Sequence, residues 1–365
     1  MTRTTMARAG QAKIGGDTPV GKLPNGTGVV AAAKATGRRL LTTVDDFVSH
    51  QSRFDRQARV NLSAEAAEVT TAIYLDYVRS QVMDWTPSEI ATLGTIVNNL
   101  GNSFKPLSLD LPSAVYVVKT TGQEEGRAAY TRRLDTIVLP SNMVASIDTA
   151  SLFSDPLNPG VDLGPLQTTI AHECFHLFSK NNEARRCQLY ELVHYKSTGN
   201  DVELPNVPWP EPTSSAMLPD LKITNPDAPR LNVYIDMEVP ADPQEPEGLR
   251  MTRSLMPLLY SKAPYSGGVF FDPEQYFVWC FLAIQQKPQG RWIVVASADG
   301  RPLRYDSGPF MRQYLDLIGT NFPPTAEIFH PDEILAINFQ LLAPEPDLDL
   351  IDKMRRILSL NPSNM

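Results

Sequence analysis

The sequence HECFH at residues 172–176 constrains the fold of this chain more than any other segment. Two histidines four residues apart project from one face of the backbone when the segment is helical. The apolar residues around the motif predict such a helix from Leu166 to Lys180. Two imidazole nitrogens on one helix face can share a Zn²⁺ ion. The alternative is a pair of partly buried histidines that are capped by neighbouring groups.

Glu173 follows the first histidine and is offset from it around the helix. In that position a carboxylate can take a proton from a water molecule that a metal ion activates. The motif therefore predicts His172 and His176 as zinc ligands and Glu173 as a general base. Cys174 lies between the histidines but points away from their shared face, so we expect a small core residue there and not a ligand.

A hydrolytic zinc site usually has three protein ligands and one open position. No histidine follows His176 at the spacing of a HExxHxxGxxH motif, so the third ligand is expected to be a carboxylate on another helix. Glu333 is favoured because Pro331 predicts the start of a helix there, and Ala336 permits close helix contact. An acidic residue in a first helical turn also complements the helix dipole, and the residues alone leave that alternative open. The other candidates are Glu183, Glu191, Glu203 and Glu238.

Two segments of the chain resemble known zinc enzymes. HECFH followed by a distant Glu-x-x-Ala-x-x-Phe helix is similar to the gluzincin branch of zinc metallopeptidases. Residues 172–195 and 330–342 also resemble a poorly characterised group that pairs HExFHxxSxxN…LY with a C-terminal HPxEILAxNF segment. The resemblance implies a zincin-like fold with Zn²⁺ held by His172, His176 and Glu333 and with Glu173 as the base. The interval of 157 residues between the second histidine and the distant glutamate is longer than in most gluzincins and leaves room for an inserted subdomain.

Two further histidines and one strand are candidates for contacting substrate. His194 and His330 are candidates for stabilising a developing oxyanion, and the alternative for each is a surface or helix-end histidine. In zinc peptidases that resemble this chain, the edge strand of the sheet binds the substrate backbone. That position is expected for the strand predicted at Thr136, Ile137, Val138 and Leu139, with an ordinary core strand as the alternative.

The hydrophobic patterns predict an α+β fold, and the composition predicts a disordered tail over residues 1–40. The resemblance implies a single zincin-like catalytic domain over residues 41–365. Within this domain we expect a helical part (41–105), a small sheet with the HECFH helix (106–195), a Pro-rich and β insert (196–325) and C-terminal helices (326–365). The sequence TPSE that begins at Thr86 is typical of a capping box at a helix start. Asp299-Gly300 predicts a β-hairpin.

The composition of the chain limits which partners it is expected to bind and where in the cell it is expected to lie. The formal charge of −8 argues against nucleic acid, because phosphate binding needs a basic surface. No apolar run approaches about 18 residues, so no membrane span is predicted. Three cysteines are too few for a disulfide framework and favour a reducing compartment. The first residues lack the layout of a secretory signal, so a cytoplasmic location is expected.

Together these features predict a zinc-dependent peptidase that acts on peptide or protein substrates. The residues leave two alternatives open. One is a binding protein of zincin-like fold with weak or no turnover, and the other is a zinc hydrolase of a non-peptide substrate. An intact Glu173 favours an enzyme, because a binding protein has no need of a base.

Overall fold

A computed structural model of the chain contains helices and two β-sheets, which confirms the α+β class. It describes residues 16–63, 65, 67–145, 164–245, 247–269, 275–319, 328–340 and 349–359. None of the helices in these ranges combines the length and the apolar character that crossing a bilayer requires.

The first sheet has five strands in the order β1-β2-β3-β5-β4. They are β1 (Thr18–Lys22), β2 (Gly28–Ala31), β3 (Ala114–Thr120), β4 (Tyr130–Arg132) and β5 (Thr136–Pro140). Strands β2, β3 and β5 are parallel, whereas β1 and β4 are antiparallel to their neighbours and form the two edges. Strands β3 and β5 place side chains in a hydrophobic core on each face of the sheet, as is usual for buried parallel strands.

The prediction of a disordered tail over residues 1–40 is wrong in the part of that segment that the structure describes. Strands β1 and β2 lie within residues 18–31, and helix α1 (Lys34–Leu41) follows them. Residues 1–15 lie outside the described residues. The Gly- and Thr-rich composition of this segment gives little local indication of a strand. Strand β2 is instead stabilised by pairing with β3, which is distant along the chain and is not visible in the local sequence.

The edge-strand prediction for Thr136, Ile137, Val138 and Leu139 is also wrong. Strand β5 pairs with β3 on one side and with β4 on the other, and all of its residues are buried. It is an ordinary core strand, which was the alternative interpretation. The edge is β4, which has only three residues and no alternation of apolar and polar side chains from which a strand could be predicted.

The helices that follow α1 are α2 (Asp46–His50), α3 (Arg53–Arg59), α4 (Thr71–Gln81), α5 (Pro87–Ser103) and the short α6 (Ser141–Ala145). Helices α2 and α4 contribute to the core on one face of the first sheet, and α5 and α6 contribute to the core on the other face. The capping box at the start of α5 is confirmed, because Thr86 accepts a hydrogen bond from the backbone of Glu89 and the Glu89 side chain accepts one from the backbone of Thr86. A short 3₁₀ turn, Gln123–Glu125, precedes β4.

The second sheet is antiparallel, in the order β10-β9-β8-β7-β6, and β11 also pairs with β9. Its strands are β6 (Tyr195–Ser197), β7 (Val233–Pro240), β8 (Arg250–Ser261), β9 (Phe277–Gln286), β10 (Trp292–Val294) and β11 (Arg304–Asp306). Strands β10 and β11 lie one after the other along β9. The residues between them leave the sheet as a hairpin around Asp299-Gly300, which Ala296 and Pro302 bridge. The Pro-rich segment before β7 contains only the short helix α9 (Leu218–Leu221).

The HECFH helix, α7, joins the two halves of the molecule. It spans Pro165–Asn181 and is followed by α8 (Glu183–Leu192), α10 (Ser307–Ile318), α11 (Pro331–Gln340) and α12 (Asp349–Ser359). Helix α11 packs against α7, and the rings of Phe175 and Phe339 lie 5.5 Å apart between them. One continuous hydrophobic core contains residues of both sheets and of these helices. The expected insert is therefore packed against the helix that carries the motif.

A buried ion pair fixes the edge strand β4 to the helices. The Arg132 guanidinium is fully buried and donates a hydrogen bond from Nε to Asp45 Oδ2 at 2.7 Å. Asp45 also accepts hydrogen bonds from the backbone of Val48 and of Arg133. Burial alone would raise the pKa of Asp45, but the charge of Arg132 and these hydrogen bonds outweigh it and hold the pKa below its usual value.

We expect Asp45→Asn to lower the free energy of unfolding by about 3 kcal/mol at pH 7, because it leaves a buried guanidinium without its counter-charge. The pKa of Asp45 is lower in the folded chain than in the unfolded chain, so its stabilisation is present above the unfolded value and is lost as the pH falls through the folded value. Urea denaturation should therefore show a difference between wild type and variant that shrinks below about pH 4. Asp76→Asn, in an exposed pair with Arg79, is the control and should change stability by less than about 1 kcal/mol. An equal effect of the two substitutions would contradict this expectation.

Candidate metal centre

Helices α7 and α11 bring three predicted ligands together. His172 and His176 lie one turn apart on α7, with ring centroids 4.6 Å from each other. Glu333, in the first turn of α11, places Oε2 at 3.2 Å from His172 Nε2 and at 3.4 Å from His176 Nε2. His176 and Glu333 are buried, and His172 is half-buried at the surface of a cavity.

These separations fit one tetrahedral zinc ion. Ligand atoms at about 2.0–2.1 Å from a tetrahedral ion lie roughly 3.3 Å from each other. His176 Nε2 is buried and, among the described residues, makes no hydrogen bond of normal geometry, so the protein itself leaves this atom unused. Burial alone would raise the pKa of Glu333, but the two histidines outweigh it and hold the pKa well below its usual value, so the carboxylate is ionised. Two imidazoles and one carboxylate are a donor set that zinc prefers.

Asp332 orients the second histidine. His176 Nδ1 donates to Asp332 Oδ2 at 2.7 Å, and this hydrogen bond leaves Nε2 facing the site as an acceptor. The other oxygen of Asp332 accepts hydrogen bonds from the hydroxyls of Ser179 and Tyr190. Burial alone would raise the pKa of Asp332, but the hydrogen bond and the charge of His176 outweigh it and lower the pKa. Asp332 is therefore a positioning residue that is held ionised beside the site.

Asn225 orients the ligand carboxylate in the same way. Its Nδ2 donates to Glu333 Oε1 at 2.6 Å, and its Oδ1 accepts a hydrogen bond from the backbone of Asp227. One oxygen of Glu333 is thereby held by the loop before β7, while the other lies between the histidines. Sequence reasoning missed Asn225, Asp227 and Asp332. The only local signal was the turn-forming sequence NPDAP that begins at Asn225, which identifies a turn but not what the turn contacts.

Glu173, the predicted base, lies buried at the wall of the same cavity. It is only 3% exposed, and its Oε2 has no hydrogen-bond partner among the described residues. Burial, followed by the charge of Asp227, raises the pKa of its carboxyl well above the usual value. Glu173, His172 and Glu333 line the same cavity, so a substrate that reaches the ligands also reaches this carboxylate.

The cavity in front of the site is large enough for a short peptide. Its volume is about 690 Å³, within the range of small-molecule sites. It lies between α7, α11, the residues that lead into β4 and the middle of the second sheet. The apolar part of its wall comes from Met143, Ile223, Leu259, Phe277, Val278, Trp279, Ile328, Phe329 and Ile337. The second sheet thus forms one wall of the cavity.

The two candidate oxyanion residues do not lie in this cavity. His194 is exposed just after α8, where its φ of 62° starts the turn into β6. His330 is buried, but it lines a separate cavity of about 850 Å³ behind the ligands, and its Nδ1 accepts a hydrogen bond from the backbone of Asp332. The structure therefore does not support the predicted catalytic roles of His194 and His330, because one lies at the surface and the other lines a different cavity.

Among the five acidic candidates for the third ligand, Glu333 is the one that meets the histidines. Glu183, Glu191 and Glu238 are exposed, and Glu203 pairs with Arg291 at the surface. Cys174 is buried in the core, as predicted. Burial raises the pKa of its thiol to about 12, which is consistent with an inert core residue.

We expect Asp332→Asn to weaken zinc binding by roughly 10- to 100-fold, because the replacement loses the charge that holds His176 in its ligating orientation. Competition with a chromophoric chelator measures this affinity directly. Asp352→Asn, on the exposed face of α12, makes the same chemical change away from the site and is the control. Equal affinities for the two variants would show that Asp332 does not position the ligand.

Comparisons of the chain with protein-family models, with curated proteins and with solved structures gave no significant match. The likeness to gluzincins therefore rests on the HECFH and HPxEILAxNF segments quoted above. At the site itself, His172, Glu173 and Glu333 line one cavity, and a ring nitrogen of His176 lies within 4.8 Å of a carboxylate oxygen of each glutamate.

Proposed function

We propose that this chain is a zinc-dependent peptidase with a zincin-like fold. The observation that carries the proposal is the position of Glu173, which lines the same cavity as His172 and Glu333 and whose buried Oε2 has no partner in the described part of the chain. A base beside three converging ligands is the arrangement that metal-assisted hydrolysis requires. The antiparallel edge strand β4 beside α7 supports the zincin-like fold.

Each residue of the site has a separate role in the proposed hydrolysis. His172, His176 and Glu333 would hold a zinc ion, which polarises a carbonyl and acidifies water when it is bound. Glu173 takes the proton of the attacking water and passes it to the leaving amine. Asp332 and Asn225 keep two of the ligands in position through the hydrogen bonds described above. The apolar wall of the cavity excludes water from the reacting groups.

A peptide or protein is the substrate that the surroundings favour. Ala128 and Ala129 line the cavity immediately before the edge strand β4. The free edge of a strand binds an extended peptide through backbone hydrogen bonds, which an ester or a sugar does not supply. The alternatives are a zincin-like binding protein with little turnover and a zinc hydrolase of a non-peptide bond.

The charge of the chain and its cysteines bear on partners and location. The formal charge of −8 argues against nucleic acid as a partner. Cys174, Cys187 and Cys280 form no disulfide, which favours a reducing compartment such as the cytoplasm.

The proposal is tested by measuring bound zinc and the hydrolysis of a peptide library by wild type and by Glu173→Gln. A peptidase should bind about one zinc per chain in both proteins and cut peptides only in wild type. Wild-type protein that binds no zinc would refute the metal centre. Zinc binding without cleavage of any peptide would favour one of the two alternatives.

A further inference from the structure

The outer edge of β4 is closed at its second residue. The backbone N–H of Thr131 donates to Asp227 Oδ1 at 2.7 Å, and the Thr131 carbonyl accepts a hydrogen bond from Lys180 Nζ at 3.3 Å. Lys180 Nζ also donates to the carbonyl of Pro226 at 2.9 Å. Strand addition needs the outward N–H and C=O groups of an edge strand. A peptide that pairs with Ala129 therefore cannot continue along β4, and the cleft is closed at that end.

The residue that closes the cleft presents a carboxylate to the catalytic centre. A carboxylate oxygen of Asp227, one of Glu173 and a ring nitrogen of His176 all lie within 4.8 Å of one another. The side-chain hydrogen bonds that Asp227 accepts from described residues go to Oδ1, so Oδ2 keeps its capacity to accept. Glu173 Oε2 is buried and has no hydrogen-bond partner among the described residues. In the part of the chain that the structure describes, the protein therefore uses neither of these two oxygens as an acceptor.

The charge of the cavity selects for a cation at this end. Among the described residues, the carboxyl groups that line it are Glu125, Glu173, Asp227 and Glu333, and the guanidinium of Arg59 pairs with Glu125. A zinc ion held at Glu333 would offset two of the three remaining negative charges and leave one. Lys180 lies 3.8 Å from Asp227 Oδ1 and lines the second cavity instead. Such a lining attracts an ammonium group and repels a terminal carboxylate.

We propose that Asp227 binds the free α-ammonium group of the substrate, so that the enzyme is an aminopeptidase that removes residues from the amino terminus. The amino terminus is the part of a peptide that both ends the chain and carries a positive charge, and the closed end of the cleft demands both. This inference rests on the proposed peptidase function. In this assignment Asp227 does not contact the zinc ion. Its carboxylate holds the α-ammonium group, so that the first peptide bond of the substrate lies over Glu173.

The test compares matched peptides on the intact zinc-loaded protein. Each sequence is supplied with a free or an acetylated amino terminus, and with a free or an amidated carboxyl terminus. We expect kcat/KM to favour the free amine by roughly 10- to 100-fold, the effect of one charge-assisted hydrogen bond, and to change little on amidation. Acetylated peptides that are cut as well as free ones, including any with a lysine next to the cut, would overturn the inference and leave the peptidase function intact. Failure to cut any peptide would remove the peptidase function and the inference with it.

Variants test whether the carboxylate of Asp227 causes the preference for a free amino terminus. Asp227→Asn should lose most of the preference for the free amine while it still binds about one zinc per chain, measured by chelator competition. Thr131→Val removes a hydroxyl that donates to Asp227 and accepts a hydrogen bond from Lys180, and it should keep the preference, which separates recognition of the amine from anchoring of β4. Asp299→Asn in the exposed hairpin is the matched control and should behave as wild type. An Asp227→Asn protein that keeps the full preference would overturn the assignment.

Discussion

Replacing Glu173 with glutamine is expected to lower kcat by roughly 10²- to 10⁴-fold, the usual contribution of a positioned base. The amide keeps the size of the side chain and its place in the wall of the cavity, but it cannot accept the proton of the attacking water. The three ligand atoms come from other side chains, so zinc binding should be unchanged. If Glu173 had only a structural role, its replacement would not abolish turnover while zinc stayed bound.

The measurement is a peptide-cleavage assay together with zinc analysis of the same protein sample. Glu183→Gln, at the exposed start of α8, carries the same substitution outside the cavity and should retain wild-type turnover. If Glu173→Gln cut peptides at the wild-type rate, proton transfer would have to pass through another group and the mechanism would be wrong. If it lost both zinc and turnover, Glu173 would have to be assigned to metal binding instead.

Replacing Glu333 with alanine is expected to weaken zinc binding by more than about 100-fold, because losing a direct ligand costs more than losing a group that only orients one. The same change removes the carboxylate that Asn225 holds and leaves His172 and His176 as the only remaining ligands from the set. We therefore expect the Glu333→Ala variant to retain its fold. It should lose its zinc at chelator concentrations that leave zinc bound to the wild type.

Glu191→Ala is the appropriate control for this substitution. Glu191 was an alternative candidate for the third ligand and is exposed on α8, so its removal should leave zinc affinity unchanged. A Glu333→Ala protein with wild-type affinity would refute the assignment of Glu333. Circular dichroism of both variants establishes whether a lower affinity reflects lost coordination or a lost fold.

The parts of the site that were predictable from the sequence are those whose geometry is local. The spacing of His172 and His176 determines their shared face once a helix forms, and the apolar residues around them predict that helix. Pro331 likewise predicts the start of α11, which places Glu333 in its first turn. The choice of Glu333 over the other acidic residues needed a resemblance, because the contact between α7 and α11 leaves no local signal.

The residues that orient the ligands were not predictable for the same reason. Asp332 resembles any acidic residue that complements a helix dipole, and only its contact with His176 gives it a role. Asn225 and Asp227 lie in a turn whose sequence describes the backbone and not its neighbours. Strand β4 was missed because three residues carry no periodicity, and this omission led to the wrong edge strand.

The order of the ligands along the chain has a consequence for folding. An ion that joins α7 to α11 closes a loop that contains every strand of the second sheet. Closing so long a loop restricts the unfolded chain, and an ion bound only by the folded chain adds about 4 kcal/mol of stability at a thousandfold excess over its Kd. The proposed zinc site would therefore link metal occupancy to thermal stability, because a chelator that removes the ion also removes the cross-link between α7 and α11.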